Sequence, residues 1–76
     1  NQKHVEEAMA FMRELLKTPL SQDRVVKAFL DHFSLKKISW EYYLYRATVN
    51  GYLSSLYRRG EVKFRVLDNL AVWYAV

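Results

Sequence analysis

Hydrophobic residues recur at three- and four-residue spacing in two N-terminal stretches, which predicts two amphipathic helices. The first extends from about Lys3 to Lys17 and ends before Pro19, because proline disfavours helical geometry in the residue before it. The second follows Ser21, a suitable N-cap, and extends to about Phe33. The expected solvated side of this second helix carries Gln22, Arg24, Lys27 and Asp31. The stripes expected in the core are Val5, Ala8, Met9, Met12, Leu15 and Leu16, followed by Val25, Val26, Phe29, Leu30 and Phe33.

A third and longer helix is predicted from Ser39, a second candidate N-cap, to Arg59. About 20 residues of helix span roughly 30 Å. Gly60 can adopt the positive φ that closes a helix C-terminus, so the helix is expected to end there. The stripe expected in the core consists of Val49, Tyr52, Leu53 and Leu56, and Tyr42 and Tyr45 continue it toward the start of the helix.

The side of this third helix opposite the core stripe is also apolar, since it carries Trp40, Leu44, Ala47 and Gly51. Three interpretations are open. The stripe packs against the second helix, or the helix bends near Gly51, or the stripe is an interface for a second copy or another protein.

After Gly60 the hydrophobic period changes from helical to two, which predicts a β-hairpin. Asp68 and Asn69 suit a two-residue turn. This turn pairs Leu67 with Leu70, Val66 with Ala71, Phe64 with Trp73 and Val62 with Ala75. The face expected to pack on the helix carries Val62, Phe64, Val66, Ala71, Trp73 and Ala75, and the outer face carries Lys63, Arg65, Val72 and Tyr74.

Length and charge limit the possible classes of protein. With 76 residues the chain is expected to form one domain over 1–76, and with no cysteine it has no disulfide. No apolar run has the roughly 18 to 20 residues of a membrane span, so no membrane partner is expected. Residues 1–33 contain five Lys/Arg and five Asp/Glu, for a net charge of zero, whereas residues 34–76 contain seven and three, for +4. This asymmetry favours a polyanionic partner.

Candidate chemistry is sparse. His4 and His32 lack metal-ligand spacing, the acidic residues of the first helix have surface spacing, and there is no glycine-rich phosphate loop. We therefore expect no metal, no cofactor and no enzymatic activity.

The predicted layout of three helices followed by a hairpin resembles the winged helix-turn-helix superfamily. The resemblance is strongest in the passage TVNGYLSSLYRRGEVKFRV. That superfamily has a pattern of a valine, two leucines, a glycine, a valine and then an aromatic residue in the returning strand. In this sequence the matching residues are Val49, Leu53, Leu56, Gly60, Val62 and Trp73. The resemblance implies a mainly α fold in which three helices carry a two-stranded C-terminal wing.

The resemblance also implies duplex DNA as the partner, since the second helix of a helix-turn-helix motif lies in the major groove. On this sequence the groove-facing candidates are Tyr43, Arg46, Ala47, Asn50 and Ser54, and the phosphate-contact candidates are Lys36, Lys37, Ser39, Lys63 and Arg65. Arg46 would pair with guanine and Asn50 with adenine. The alternative is that both are ordinary exposed helix residues. The tip, Leu67 to Leu70, is acidic and apolar, which indicates a structural wing.

Two functions follow as hypotheses. The first is a dimeric, intracellular DNA-binding domain, located in the cytoplasm, nucleoid or nucleus. It regulates transcription or replication, or it is the DNA-binding module of a larger protein. The second is a protein-interaction module that uses Trp40, Leu44 and the aromatic surface of the hairpin and binds no nucleic acid.

Overall fold

The structure, a computed structural model, describes residues 2–35 and 40–76. This part of the chain contains three helices and three strands. The elements are α1 (Gln2–Leu15), β1 (Leu20–Ser21), α2 (Gln22–His32), α3 (Trp40–Arg58), β2 (Val62–Leu67) and β3 (Leu70–Ala75). The fold is therefore mainly α with strands at the C-terminus, as the sequence predicts, but the sheet has three strands rather than two.

The strands form one antiparallel sheet in the order β1-β3-β2. The predicted hairpin register is confirmed from Leu67 opposite Leu70 to Val62 opposite Ala75. Asp68 and Asn69 have φ of 52° and 62°, which is the left-handed pair that a type I′ turn requires. The additional strand β1 pairs Leu20 with Trp73 and therefore joins the link between α1 and α2 to the hairpin.

The ends of the helices follow local chemistry. The first helix is shorter than predicted and ends at Leu15. Ser21 caps α2 as predicted, because its Oγ accepts from the backbone N–H of Arg24 at 3.4 Å. Gly60 has φ of 76°, and the N–H groups of Gly60 and Glu61 donate to Tyr57 and Leu56. This pair of hydrogen bonds is a Schellman motif, and it turns the chain directly from α3 into β2.

The core lies between the three helices and the base of the hairpin, and it contains no polar side chain among the residues described. Its members come from all three predicted stripes and from the start of β2. The buried residues are Ala8, Met9, Met12, Leu16, Val25, Val26, Phe29, Leu30, Val49, Leu53, Leu56 and Val62. Val5, which the pattern placed in the first stripe, is instead exposed at the rim.

The expectation that the inner face of the hairpin packs along its length on the helix is wrong for its outer half. Val62 is fully buried, but Phe64 and Val66 are 44% and 63% exposed. The strand leaves the core after its first residue, so Phe64 and Val66 lie outside the core. Phe64 instead packs on Trp73 and Tyr57, with ring centroids 4.9 and 5.5 Å apart.

The second apolar stripe of α3 does not pack against α2. Trp40 and Leu44 are 68% and 55% exposed, and Ala47 and Gly51 are exposed as well. The helix is continuous through Gly51. The interpretation that this stripe packs on the second helix is therefore wrong, and the stripe is a surface available for contact.

Candidate nucleic-acid interface

The candidate site is the side of α3 that faces away from the core, here called the outer face. Its exposed residues are Trp40, Tyr43, Leu44, Ala47, Gly51, Ser54 and Arg58. With 19 residues, α3 is about 28 Å long. The sole carboxylate of the helix, Glu41, is half-buried on its flank, about a quarter turn from Trp40. The outer face therefore has no negative charge of its own.

The middle of the outer face is built from small side chains. Ala47, Gly51 and Ser54 are all exposed and lie one turn apart. A Cβ built at Gly51 would meet nothing within 4 Å. Here the backbone of α3 can approach another surface closely, because no long side chain holds it away.

The predicted groove-facing residues divide into two groups. Tyr43, Ala47 and Ser54 are exposed on the outer face as predicted. Arg46 and Asn50 lie one turn apart on the flank that faces α2, and both are half-buried. Neither is an ordinary exposed helix residue, because each has a partner on another helix.

Those partners come from the first turn of α2. Gln22 Nε2 donates a hydrogen bond to Asn50 Oδ1, and Asp23 Oδ1 lies 3.6 Å from Arg46 Nη2 in an ion pair. The sequence pattern placed Gln22 on the solvated side of α2, so that prediction is wrong: the side chain bridges to α3. Helical periodicity gives the direction of a side chain but not which neighbouring helix stands there.

The tip of the hairpin lies close to the same place. A cleft of about 160 Å³ separates α2, α3 and the tip. Its lining consists of Ser21, Gln22, Asp23, Arg46, Asn69, Leu70 and Ala71. The first turn of α2, the middle of α3 and the hairpin tip therefore form one continuous surface.

Several basic side chains near the end of α3 and on the hairpin have no acidic neighbour. Across residues 2–35 and 40–76, Arg58, Lys63 and Arg65 have no carboxylate within 4 Å. Arg65 lies over the ring of Tyr74, with its Cζ 5.4 Å from the centroid. These cations are available to a polyanion without first breaking an ion pair. Lys36, Lys37 and Ser39, the other predicted phosphate contacts, lie outside the described residues.

Exposed aromatic and aliphatic side chains flank the outer face at both ends. Trp40, Tyr43 and Leu44 are 55% to 68% exposed at the start of α3, here called the aromatic end. Near its other end, Tyr57 is 49% exposed beside Phe64. Two apolar surfaces on so small a domain are unusual for a protein without a macromolecular partner.

Other classes of site lack support in the described residues. In that part of the chain no group of three or more His, Asp or Glu side chains is placed to hold a metal ion. None of the described helices has the length and apolar character needed to cross a membrane. Comparisons of the chain with family models, with curated proteins and with solved structures found no match.

Proposed function

We propose that this chain is a winged-helix domain that binds duplex DNA with α3 in the major groove. The order of elements supports the proposal, because a hairpin follows the third helix through a glycine turn and β1 ties its returning strand to the body of the domain. In this arrangement α2 and α3 form the helix-turn-helix and β2 and β3 form the wing. The assignment depends on this architecture and on the character of the surface.

The observation that carries the proposal is the outer face of α3, which is exposed along the whole helix and bears no carboxylate. The major groove of B-DNA is about 12 Å wide, close to the diameter of a helix with its side chains. The small residues Ala47, Gly51 and Ser54 at the middle of the outer face reduce that diameter where the helix would enter most deeply. A carboxylate there would oppose the phosphates on both sides.

The basic residues complete the proposed interface. Arg58, Lys63 and Arg65 neutralise phosphates, and Arg46 and Asn50 meet base edges. Lys36, Lys37 and Ser39 extend the phosphate contacts before α3. The domain acts inside the cell as a regulator of transcription or replication, or as the DNA-binding module of a larger protein, and a dimer would let two copies read two half-sites.

The test is the salt dependence of binding, measured by fluorescence anisotropy with labelled duplex DNA. With five to seven phosphate contacts, log affinity falls with log salt at a slope of about −4.5 to −6. Removing one phosphate contact with Lys63→Ala or Arg65→Ala reduces the slope by about 0.9. Lys27→Ala is the matched control, because Lys27 is exposed on α2 and already paired with Asp31 at 2.6 Å. The control leaves the slope unchanged, whereas an absence of binding at low salt refutes the proposal.

A second candidate function is supported by the aromatic end of α3. Trp40, Tyr43 and Leu44 lie on one side of the first turns and are exposed together, as in the centre of a protein interface. In this alternative the domain recognises a protein partner or a second copy. Trp40→Ala then abolishes self-association in analytical ultracentrifugation while the thermal melting temperature is preserved. A chain that stays monomeric at high concentration, with Trp40 intact, excludes the second copy as that partner.

A further inference from the structure

The strand β2 forms one edge of the sheet, since the strands follow the order β1-β3-β2. It has six residues, about 20 Å of extended chain, and its ladder with β3 has neither a bulge nor a proline. Every residue of β2 after Val62 is exposed. The strand at the opposite edge, β1, has two residues. Within the described part of the chain, β2 is therefore the edge long enough to accept another strand.

The hairpin turn determines which backbone groups of β2 point to this edge. The residues on either side of a two-residue turn exchange hydrogen bonds, and bonded pairs then alternate along the ladder. The N–H of Val76 donates to the carbonyl oxygen of Glu61 at 3.1 Å, which agrees with this alternation. The N–H and C=O groups of Phe64 and Val66 thus point away from β3, and among the residues described they have no backbone partner outside the sheet. Such a row of donors and acceptors matches the backbone of another strand, whereas a nucleic acid offers no matching row.

The two faces of β2 differ in chemistry. Phe64 and Val66 are exposed on one face, where Phe64 packs on Trp73. Lys63 and Arg65 are on the other face, and neither has a carboxylate within 4 Å in residues 2–35 and 40–76. A strand that pairs with β2 therefore meets apolar side chains on one face and two cations on the other.

Like charges oppose a second copy of this chain at the same edge. When two copies of an edge strand pair antiparallel about a two-fold axis, the axis passes through a residue, because outward-pointing groups must meet outward-pointing groups. With the axis at Phe64, residues 62–66 pair and Lys63 faces the second copy's Arg65. With the axis at Arg65, residues 63–67 pair and the two Arg65 side chains face each other. Like charges directly opposite one another are destabilising, so the charges of β2 favour an acidic strand over its own copy.

We propose that β2 is the docking edge for an extended segment of a partner protein in which acidic and apolar side chains alternate. The segment adds a fourth strand to the sheet by pairing its backbone with the outward groups of Phe64 and Val66. Its carboxylates lie opposite Lys63 and Arg65, in pairs without backbone hydrogen bonds, where Cα atoms are about 4.5 Å apart and side chains are closest. This docking does not require DNA binding, but the segment would compete with DNA for two of the proposed phosphate contacts.

The probe is a peptide of sequence TVEVEVT with blocked ends, titrated into the isotope-labelled chain. Hydrogen exchange of single amides, followed by NMR, is the deciding measurement, because an added strand protects the outward N–H groups of β2. At about ten times the dissociation constant of the peptide, exchange at Phe64 and Val66 slows roughly tenfold. Exchange at Lys63 and Arg65 changes less, because their N–H groups already bond to β3.

Three results in this titration overturn the inference. The first is an absence of peptide binding, and the second is binding that leaves Phe64 and Val66 unprotected. The third is a free chain that sediments as a dimer with these two amides already protected, since a second copy then occupies the edge.

Two further peptides separate charge from backbone pairing. TVKVKVT keeps the alternation but reverses the charge, so it should not bind. TVEVEVT that is N-methylated at its central valine keeps both carboxylates but lacks the N–H that donates to the carbonyl oxygen of Phe64. It should bind at least about tenfold more weakly than the unmodified peptide. Equal affinity of the methylated peptide indicates a general contact with polyanions and overturns the inference.

Variants of the chain make the same separation from the other side. Val66→Pro removes an outward N–H but no hydrogen bond to β3, so the sheet is retained and binding of TVEVEVT is lost. Val66→Ala is the matched control, because it retains the N–H and most of the affinity. If Val66→Pro does not melt cooperatively, the double variant Lys63→Glu and Arg65→Glu serves instead, since it should lose TVEVEVT and bind TVKVKVT.

Unchanged binding of TVEVEVT by Val66→Pro, or by the charge-reversed double variant, overturns the inference. The outcome for DNA is separate, because a chain that binds this peptide at β2 but no duplex refutes the proposed function alone. A chain that binds duplex DNA but not the peptide refutes the docking edge alone.

Discussion

Replacing glycine by alanine should have opposite effects on stability at the two glycines of this chain. Gly51 is exposed in the interior of α3, and a Cβ added there meets nothing within 4 Å. Alanine favours a helix interior by about 0.8 to 1 kcal/mol over glycine. For a domain of this size a stabilisation of about 1 kcal/mol raises the melting temperature by roughly 4 to 8 °C.

The same substitution at Gly60 has the opposite sign. Gly60 also has nothing within 4 Å of the added Cβ, but its φ of 76° is strained for alanine. The left-handed conformation costs a residue with a Cβ about 1 to 2 kcal/mol. We therefore expect Gly60→Ala to lower the melting temperature by roughly 4 to 16 °C. Since neither glycine has a steric neighbour, the difference between the two variants isolates the backbone conformation.

Thermal melts followed by circular dichroism measure both shifts, and DNA titrations then connect stability to function. Gly51→Leu keeps good helix propensity but adds a long side chain to the middle of the outer face. It should fold as stably as Gly51→Ala, yet bind duplex DNA at least about tenfold more weakly, a loss of about 1.4 kcal/mol. A destabilised Gly51→Ala would contradict a continuous α3, and full DNA affinity in Gly51→Leu would contradict the proposed orientation of the helix.

Three further predictions test the core, a helix cap and the interface. Leu53→Ala removes a fully buried side chain and should cost about 2 to 5 kcal/mol in urea denaturation, whereas an effect below 1 kcal/mol would contradict its burial. Ser21→Ala removes the cap of α2 and should cost about 0.5 to 2 kcal/mol in the same assay, with Ser21→Thr retaining most of the stability. Asp23→Asn releases Arg46 and should strengthen binding to all duplexes while changing the melting temperature little, since both side chains are partly exposed. Weaker binding in Asp23→Asn would show that the ion pair is needed to hold Arg46 in place.

The hairpin shows how far local sequence rules extend. The turn residues Asp68 and Asn69 determine the register, because a two-residue loop fixes which residues of the two strands face each other. Every predicted pair is present. The same alternation assigned Phe64 and Val66 to the inner face but could not show how far the helices extend beneath it. Which face a residue occupies is local information, whereas its burial depends on elements far away in the chain.

The strand β1 and the contacts of Arg46 and Asn50 escaped prediction for a related reason. Two residues at Leu20 and Ser21 have no periodicity of their own, and they become a strand only because β3 lies beside them. Gln22 likewise occupies a position on α2 that helical periodicity assigns to solvent. It has a hydrogen-bond partner, Asn50, only because α3 packs beside α2. The proposed base-reading pair could be named from the sequence, but the residues that orient it required the packing of two helices.

The two functions proposed for α3 use different parts of one helix, and their positions determine whether they can coexist. From Trp40 to Gly51 there are 11 residues, which separates the aromatic end from the middle of the outer face by about 16 Å. A partner seated on the aromatic end would leave Gly51, Ser54 and Arg58 exposed for DNA. Trp40→Ala should then reduce self-association but not affinity for a single half-site, and Gly51→Leu should do the reverse. If both variants lose both properties, the two surfaces form one interface, and DNA and protein compete for it.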